Sequence, residues 1–100
     1  MIIRIFDTAV DPEDIERGKQ MFRDEVRPAF EKFAGCHGIE MLIGVEEHSG
    51  DWADVAAISR WDSLEAITDA VGTDEYEKAL RNFRALFKQI PIVRHFVQID

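Results

Sequence analysis

Val55-Ala56-Ala57-Ile58-Ser59-Arg60-Trp61-Asp62-Ser63-Leu64-Glu65-Ala66 reads as a strand that runs straight into a helix. Val55, Ala57, Ser59 and Trp61 fall on one face of the strand, and Ala56, Ile58 and Arg60 fall on the other. Asp62-Ser63-Leu64-Glu65 has capping-box spacing, with Glu65 three residues after Asp62. The change from period two to a helix start within one residue fixes the direction in which the chain leaves its sheet.

The flanking segments repeat this logic. Upstream, residues 37–47 alternate as a long strand, with Ile39, Met41, Ile43 and Val45 on one face and Glu40, Leu42, Gly44 and Glu46 on the other. His48-Ser49-Gly50-Asp51 is a turn signal that makes a hairpin with the Val55–Trp61 strand. Residues 2–8 form the first strand, with Ile3, Ile5 and Asp7 sharing one parity and Ile2, Arg4 and Phe6 the other. Asp11-Pro12-Glu13-Asp14 has the residues of a helix start: a cap, a proline at the first position and acids in the first turn. Ile15, Phe22, Val26, Phe30 and Phe33 follow helical spacing. Pro28 interrupts that helix because it has no N–H to donate, and Gly35 ends it. Downstream, the helix begun at Asp62 runs through Ala70 and breaks at Gly72. Thr73-Asp74-Glu75 starts another, with Tyr76, Leu80, Phe83 and Phe87 on one stripe. Pro91 marks the exit to a last strand, Ile92 to Ile99.

The order β-α-β-β-α-β predicts an α+β, ferredoxin-like fold: a four-stranded antiparallel sheet with the helices on one face. One hundred residues without linker, repeat or low-complexity segment predict a single domain over 1–100. The expected open face carries Ile2, Phe6, Leu42, Ile58 and Phe96, too apolar for water. A second copy of the chain is the simplest cover, which predicts a homodimer.

Twelve basic against twenty acidic residues leave a formal charge of −8. That sign argues against nucleic acid and anionic membrane surfaces as partners. Cys36 is the one cysteine, so no internal disulfide can form. With no signal-peptide pattern and no apolar run of membrane-spanning length, the expected location is cytoplasmic. The three histidines lack metal-ligand spacing, and neither a metal nor another cofactor is expected.

The order of elements, the Phe33-Ala34-Gly35-Cys36-His37-Gly38 approach to the second strand and the Val55–Ala66 stretch together resemble the dimeric α/β-barrel superfamily. Within it the chain is most similar to the antibiotic-biosynthesis-monooxygenase-like group, and the resemblance spans nearly the whole chain. It implies a choice of activities: cofactor-independent monooxygenation of small or polycyclic aromatic phenols and quinols, isomerisation, haem degradation, or no turnover at all. In the haem-degrading branch an Asn ends strand one, a Trp ends strand three and a His on the last long helix binds iron. The matching positions here are Asp7, Trp61 and about Leu80, so only the Trp is kept and haem degradation is disfavoured.

The leading expectation is a monooxygenase acting on an aromatic phenol or quinol. Its rival is a non-catalytic dimer that binds a small hydrophobic molecule or serves in stress. For substrate contact the candidates are Trp61, Tyr76, Phe22, Phe83 and Ser59. Trp61 brings an indole N–H and Tyr76 a hydroxyl; the bland reading of the aromatics is core. For the catalytic base they are Asp7, on the expectation that it sits beside apolar walls that raise its pKa, and His95, which titrates near neutrality without burial. Arg4, Arg60 and Arg94 share a parity with Glu40 and Glu46 and are expected to form an ion-pair network on the dimer-facing side. His37 and His48 read as surface residues, and Cys36 as an unreactive thiol.

Overall fold

A computed structural model describes residues 1–46 and 51–100. Four strands, β1 (Ile2–Val10), β2 (Cys36–Ile43), β3 (Ala53–Trp61) and β4 (Ile92–Val97), form one sheet in the order β2-β3-β1-β4, with every neighbour antiparallel. The helices α1 (Ile15–Met21), α2 (Arg27–Phe30), α3 (Leu64–Val71) and α4 (Asp74–Arg84) complete the chain. This is the expected α+β, ferredoxin-like arrangement. The turn expected over His48–Asp51 lies mostly outside the described residues, as does His48 itself.

The first helical segment shows how the sequence sets local structure. The Asp11 side chain accepts a hydrogen bond from the Glu13 N–H and opens a 3₁₀ turn over Pro12–Asp14. After α1 the chain widens into a π turn over Phe22–Val26, in which the Arg27 N–H reaches back five residues to the Phe22 carbonyl. In a regular α-helix the Pro28 ring would press on the Asp24 carbonyl, and that carbonyl would have no donor four residues on. The π turn relieves both faults, and the chain re-enters α geometry as α2. Pro28 thus interrupts the helix as expected, by widening it.

Cap positions and strand ends differ in detail from the sequence expectation. Ser63, rather than Asp62, caps α3, accepting from the Ala66 N–H at 3.1 Å. Asp62 instead bonds the exposed His37 ring at 2.6 Å. β2 stops at Ile43 and β4 at Val97, each short of its expected end, whereas β1 runs on to Val10.

The main correction concerns β1. Register pairs Arg4 with Ser59 on one side and His95 on the other, and pairs Ile5 with Ile58 and Arg94. Ile2, Arg4, Phe6, Thr8 and Val10 therefore face the helices. Ile3, Ile5 and Asp7 lie on the open face with Leu42, Ile58 and Phe96. The expectation had placed Ile2 and Phe6 outside and Asp7 within. The open face also carries Glu40, Arg60 and Arg94; Arg60 lies 3.7 Å from Glu40, but Arg4 is not among them. Glu46 is exposed beyond the end of β2.

The core between sheet and helices is aromatic. Trp61, Phe22, Phe30, Phe83, Val26 and Val55 are fully buried there. Gly35 joins the two layers. Its φ is +78°, and a Cβ placed on it would stand 2.8 Å from the Ala66 Cβ. Its carbonyl accepts from the Asp62 N–H at 2.8 Å, fastening the end of β3. Gly35→Ala meets both the left-handed backbone and the clash, so we expect a loss of about 1–3 kcal/mol, measured as a lowered midpoint in urea at unchanged slope.

Candidate functional site

A pocket opens between the sheet and the helices, with about 340 Å³ of empty space counted with its mouth. Phe6, Val26, Phe30, Ile39, Ala57, Leu80 and Phe83 make its walls apolar, while Arg4, Ser59 and Tyr76 bring polar groups to it. Its walls stand close: the enclosed part has room for about one water molecule. A larger groove beside Gly35 is open and carries Asp62, Glu65 and Asp69 without a converging set of donors.

The polar groups form a row that the strand register dictates. Ser59 on β3, Arg4 on β1 and His95 on β4 lie directly opposite one another across three neighbouring strands. Such cross-strand neighbours stand about 4.5–5.5 Å apart at Cβ. Tyr76 comes down on this row from the first turn of α4. Thr73 caps that turn, accepting from the Tyr76 N–H at 3.2 Å. Phe30 and Phe33 hold the Tyr76 ring at centroid distances of 5.5 and 6.0 Å, and the Arg84 guanidinium lies over it at 5.8 Å.

Donor chemistry fixes where the protons in this cluster lie. Arg4 Nη1 is 2.7 Å from His95 Nε2, and Arg4 Nη2 donates to Tyr76 Oη at 3.4 Å. Arginine has donors only. His95 Nε2 must therefore accept, which places the ring proton on Nδ1. The Tyr76 oxygen also accepts, which leaves its own proton free to donate. The same argument holds at Ser59: Trp61 Nε1–H, a pure donor, gives its hydrogen to Ser59 Oγ at 2.8 Å, so the serine proton is free as well. The His95 pKa is lowered from the ordinary histidine value, first by burial and then by the Arg4 charge. Both causes favour the neutral His95 ring over the charged one, and the positive charge of the cluster resides on Arg4. Among the described residues no carboxylate lies within ion-pair distance of Arg4.

Of the residues read as candidates from sequence, Tyr76, Phe83 and Ser59 line this pocket. Trp61 does not. It is fully buried behind the wall, stacked on Phe33 at 6.3 Å, and acts on the pocket by holding Ser59. Phe22 is buried beside Phe83 but borders a different cleft with Lys19, Arg23, Arg27, Met41 and Ile43. His95 stands on the helix-facing side, behind Arg4. Asp7 is exposed on the opposite face of the sheet, because β1 presents its other parity to the helices. Leu80, at the position where the haem-degrading branch has its ligand, is part of the pocket wall. Arg4 is the pocket residue that sequence reasoning assigned elsewhere. The missed signal was that β1 extends to Val10, which puts Thr8 and Val10 in the core on the Arg4 parity. Cys36 is half-buried; burial raises its thiol pKa, against a smaller lowering by its bond to the Gly38 carbonyl. Among the described residues no three His, Cys, Asp or Glu side chains group to hold a metal ion, and no helix is long and apolar enough to cross a membrane.

Comparison with known proteins agrees with this geometry at the level of fold and family. The sequence model of the family described as antibiotic biosynthesis monooxygenase matches residues 1–82. Among solved structures, a proposed antibiotic biosynthesis monooxygenase from Nitrosomonas europaea superposes with a TM-score of 0.77 at 10% identity, covering 100% of both chains. A point variant of SnoaB, a cofactor-independent oxygenase from Streptomyces nogalater, gives 0.72 at 15% identity, covering 99% of this chain and 94% of that one. A conserved protein of unknown function from Bacteroides thetaiotaomicron gives 0.72 at 14% identity over 95% of each chain. No curated protein matches the sequence. At these identities the structural likeness establishes the fold.

Proposed function

Since this chain belongs to the antibiotic biosynthesis monooxygenase family, we propose that it oxygenates an aromatic phenol or quinol in the pocket under the helices, without a cofactor. What supports the reading is one observation: an apolar, aromatic-walled pocket in which the Tyr76 hydroxyl and the His95 ring both bond to a single positive charge, that of Arg4. Dioxygen reacts slowly with neutral closed-shell organics, but an ionised phenol can pass it an electron. The protein must hold the ring, take the proton and keep water away.

In this scheme the substrate hydroxyl gives its proton to His95 Nε2 as the Arg4 guanidinium turns from that nitrogen to the new phenolate. The phenolate passes one electron to dioxygen. The ring radical and superoxide join at a ring carbon, and His95 returns the proton to the resulting peroxide. The hydroperoxide then loses water together with the C–H hydrogen of that carbon, leaving a carbonyl. Phenol and dioxygen have become quinone and water. The closeness of the walls means that a ring enters only as the helices part. The π turn, which contributes Val26 to the wall, is where the helix is least regular, and such turns recur at functional sites.

The test is oxygen uptake with a panel of quinols and naphthols in the absence of metal and flavin. His95→Gln should lower kcat/KM by about 100-fold. A base must be unprotonated to act, and the His95 pKa lies below 6.5. Wild-type kcat/KM should therefore be flat at neutral pH and fall only below pH 6.5, and the acid limb should vanish in the variant. Uptake that persists in His95→Gln with the same acid limb rules out His95 as the base. No uptake with any substrate leaves a binding protein without turnover.

A further inference from the structure

A second cleft, of about 230 Å³, lies between the edge strand β2 and the helical stretch that runs from α1 into the π turn and α2. Its floor is apolar: Phe22 is buried, and Met41 and Ile43 are half-buried. Its rim is Lys19, Arg23 and Arg27, and no acid lines it. These cations recur every fourth residue, a spacing at which like charges on a helix repel. Glu16 offsets Lys19 at 3.0 Å. Glu25 turns away to Asn82 at 2.7 Å. Among the described residues neither Arg23 nor Arg27 has a carboxylate within ion-pair distance. The Arg27 guanidinium lies over the Phe22 ring at 5.2 Å, which sets a charge directly above the apolar floor.

Charge and shape together select the occupant. A chain of formal charge −8 repels free anions at a distance, so the rim by itself holds a small anion poorly. A neutral apolar molecule would cover the floor and leave the cations crowded and uncompensated. A molecule with an apolar body and one anionic head answers both. We propose that this cleft binds an amphipathic carboxylate, its body on Phe22, Met41 and Ile43 and its head among the cations of the rim, chiefly Arg23 and Arg27. Guanidinium groups suit that head because they match a carboxylate with two parallel hydrogen bonds. The volume lies just below the usual small-ligand range, which begins at about 300 Å³, so the body is a short to medium chain. The cleft shares no lining residue with the pocket under the helices. The proposal is therefore independent of the oxygenase reading.

The test is NMR titration of the full chain with isotope-labelled Met, Ile, Leu and Val methyl groups, at constant ionic strength. Three probes divide the ligand into its parts: octanoate kept below micelle formation, 1-octanol with the body alone, and acetate with the head alone. Octanoate should move the Met41 and Ile43 methyl signals saturably and bind about tenfold more tightly than octanol, the size expected for charge-assisted hydrogen bonds at a partly open site. Acetate should leave those signals in place over the same concentrations. Arg23→Met combined with Arg27→Met keeps two apolar stems at the exposed rim and removes both charges. It should abolish most of the preference for octanoate, and the Lys pair at the same positions should keep part of it. The methyl signals away from the cleft report that each variant is folded. The proposal is overturned if octanol or acetate binds as tightly as octanoate, or if Met41 and Ile43 show no saturable movement. It is equally overturned if the Val26 and Leu80 methyls move in their place, or if the preference is undiminished in the folded Met pair.

Discussion

Trp61→Ala should cost about 3–5 kcal/mol, the range for removing a large buried aromatic. Domains of this kind are stable by only about 5–15 kcal/mol, so the variant stands near the edge of unfolding. The indole has no exposed surface, stacks on Phe33 and meets Phe30 edge-on at 6.1 Å. Its removal opens a cavity where β3 passes into α3. It also strips Ser59 of its donor. Trp61→Phe keeps the ring contacts and loses the N–H, for which about 0.5–1.5 kcal/mol is expected. Urea titration at constant slope measures both. A loss under 1 kcal/mol for the alanine variant would show that the neighbouring rings close over the gap.

A comparable effect is expected on the opposite side of the sheet. Ile3, Ile5, Leu42, Ile58 and Phe96 share the uncovered face, with Leu42 and Phe96 still 43% and 47% exposed. A face of this kind is unstable in water. Asp7, Glu40, Arg60 and Arg94 lie among these residues with both signs of charge, which suits a two-fold arrangement in which each group can meet its opposite. We therefore expect a homodimer with the two sheets face to face. Ile58→Asp puts a carboxylate at the centre of that surface, beside Glu40 in register. An unpaired buried charge costs about 3–5 kcal/mol, so the dimer dissociation constant should rise at least about 100-fold. Sedimentation across the micromolar range reads this directly. A wild-type protein that is monomeric throughout that range refutes the expectation.

That same surface explains why the sequence told one strand wrongly and the others rightly. In β3 one parity holds Val55, Ala57, Ser59 and Trp61, and the bulky Trp61 tips it toward the helices. In β2 the acid Glu40 marks the outer parity. β1 offers no such contrast: Ile2 and Phe6 stand on one side, Ile3 and Ile5 on the other, because both faces of a central strand here are apolar. Period two locates such a strand but does not orient it. The error carried Arg4 and Asp7 with it, exchanging a pocket guanidinium for a surface carboxylate. Tyr76, Phe83 and Ser59 were legible as pocket residues because each sits on an element with one clear face. The role of Trp61 as a support for Ser59 was not legible, since a bond between residues two apart on one strand depends on rotamers.

The π turn also has a bearing on how this chain can change over generations. It holds more residues in one circuit than the helix on either side. A single-residue deletion between Phe22 and Val26 that closed the circuit to ordinary α geometry would leave the helix after it close to its present phase, because the wide turn takes up one residue more than an α turn. Phe30 would keep its place on the pocket wall and Phe33 its place on the indole. What opposes such a deletion is Pro28, because its ring would again meet a carbonyl one turn back. The proline thus acts as a tally mark, holding the extra residue in this helix.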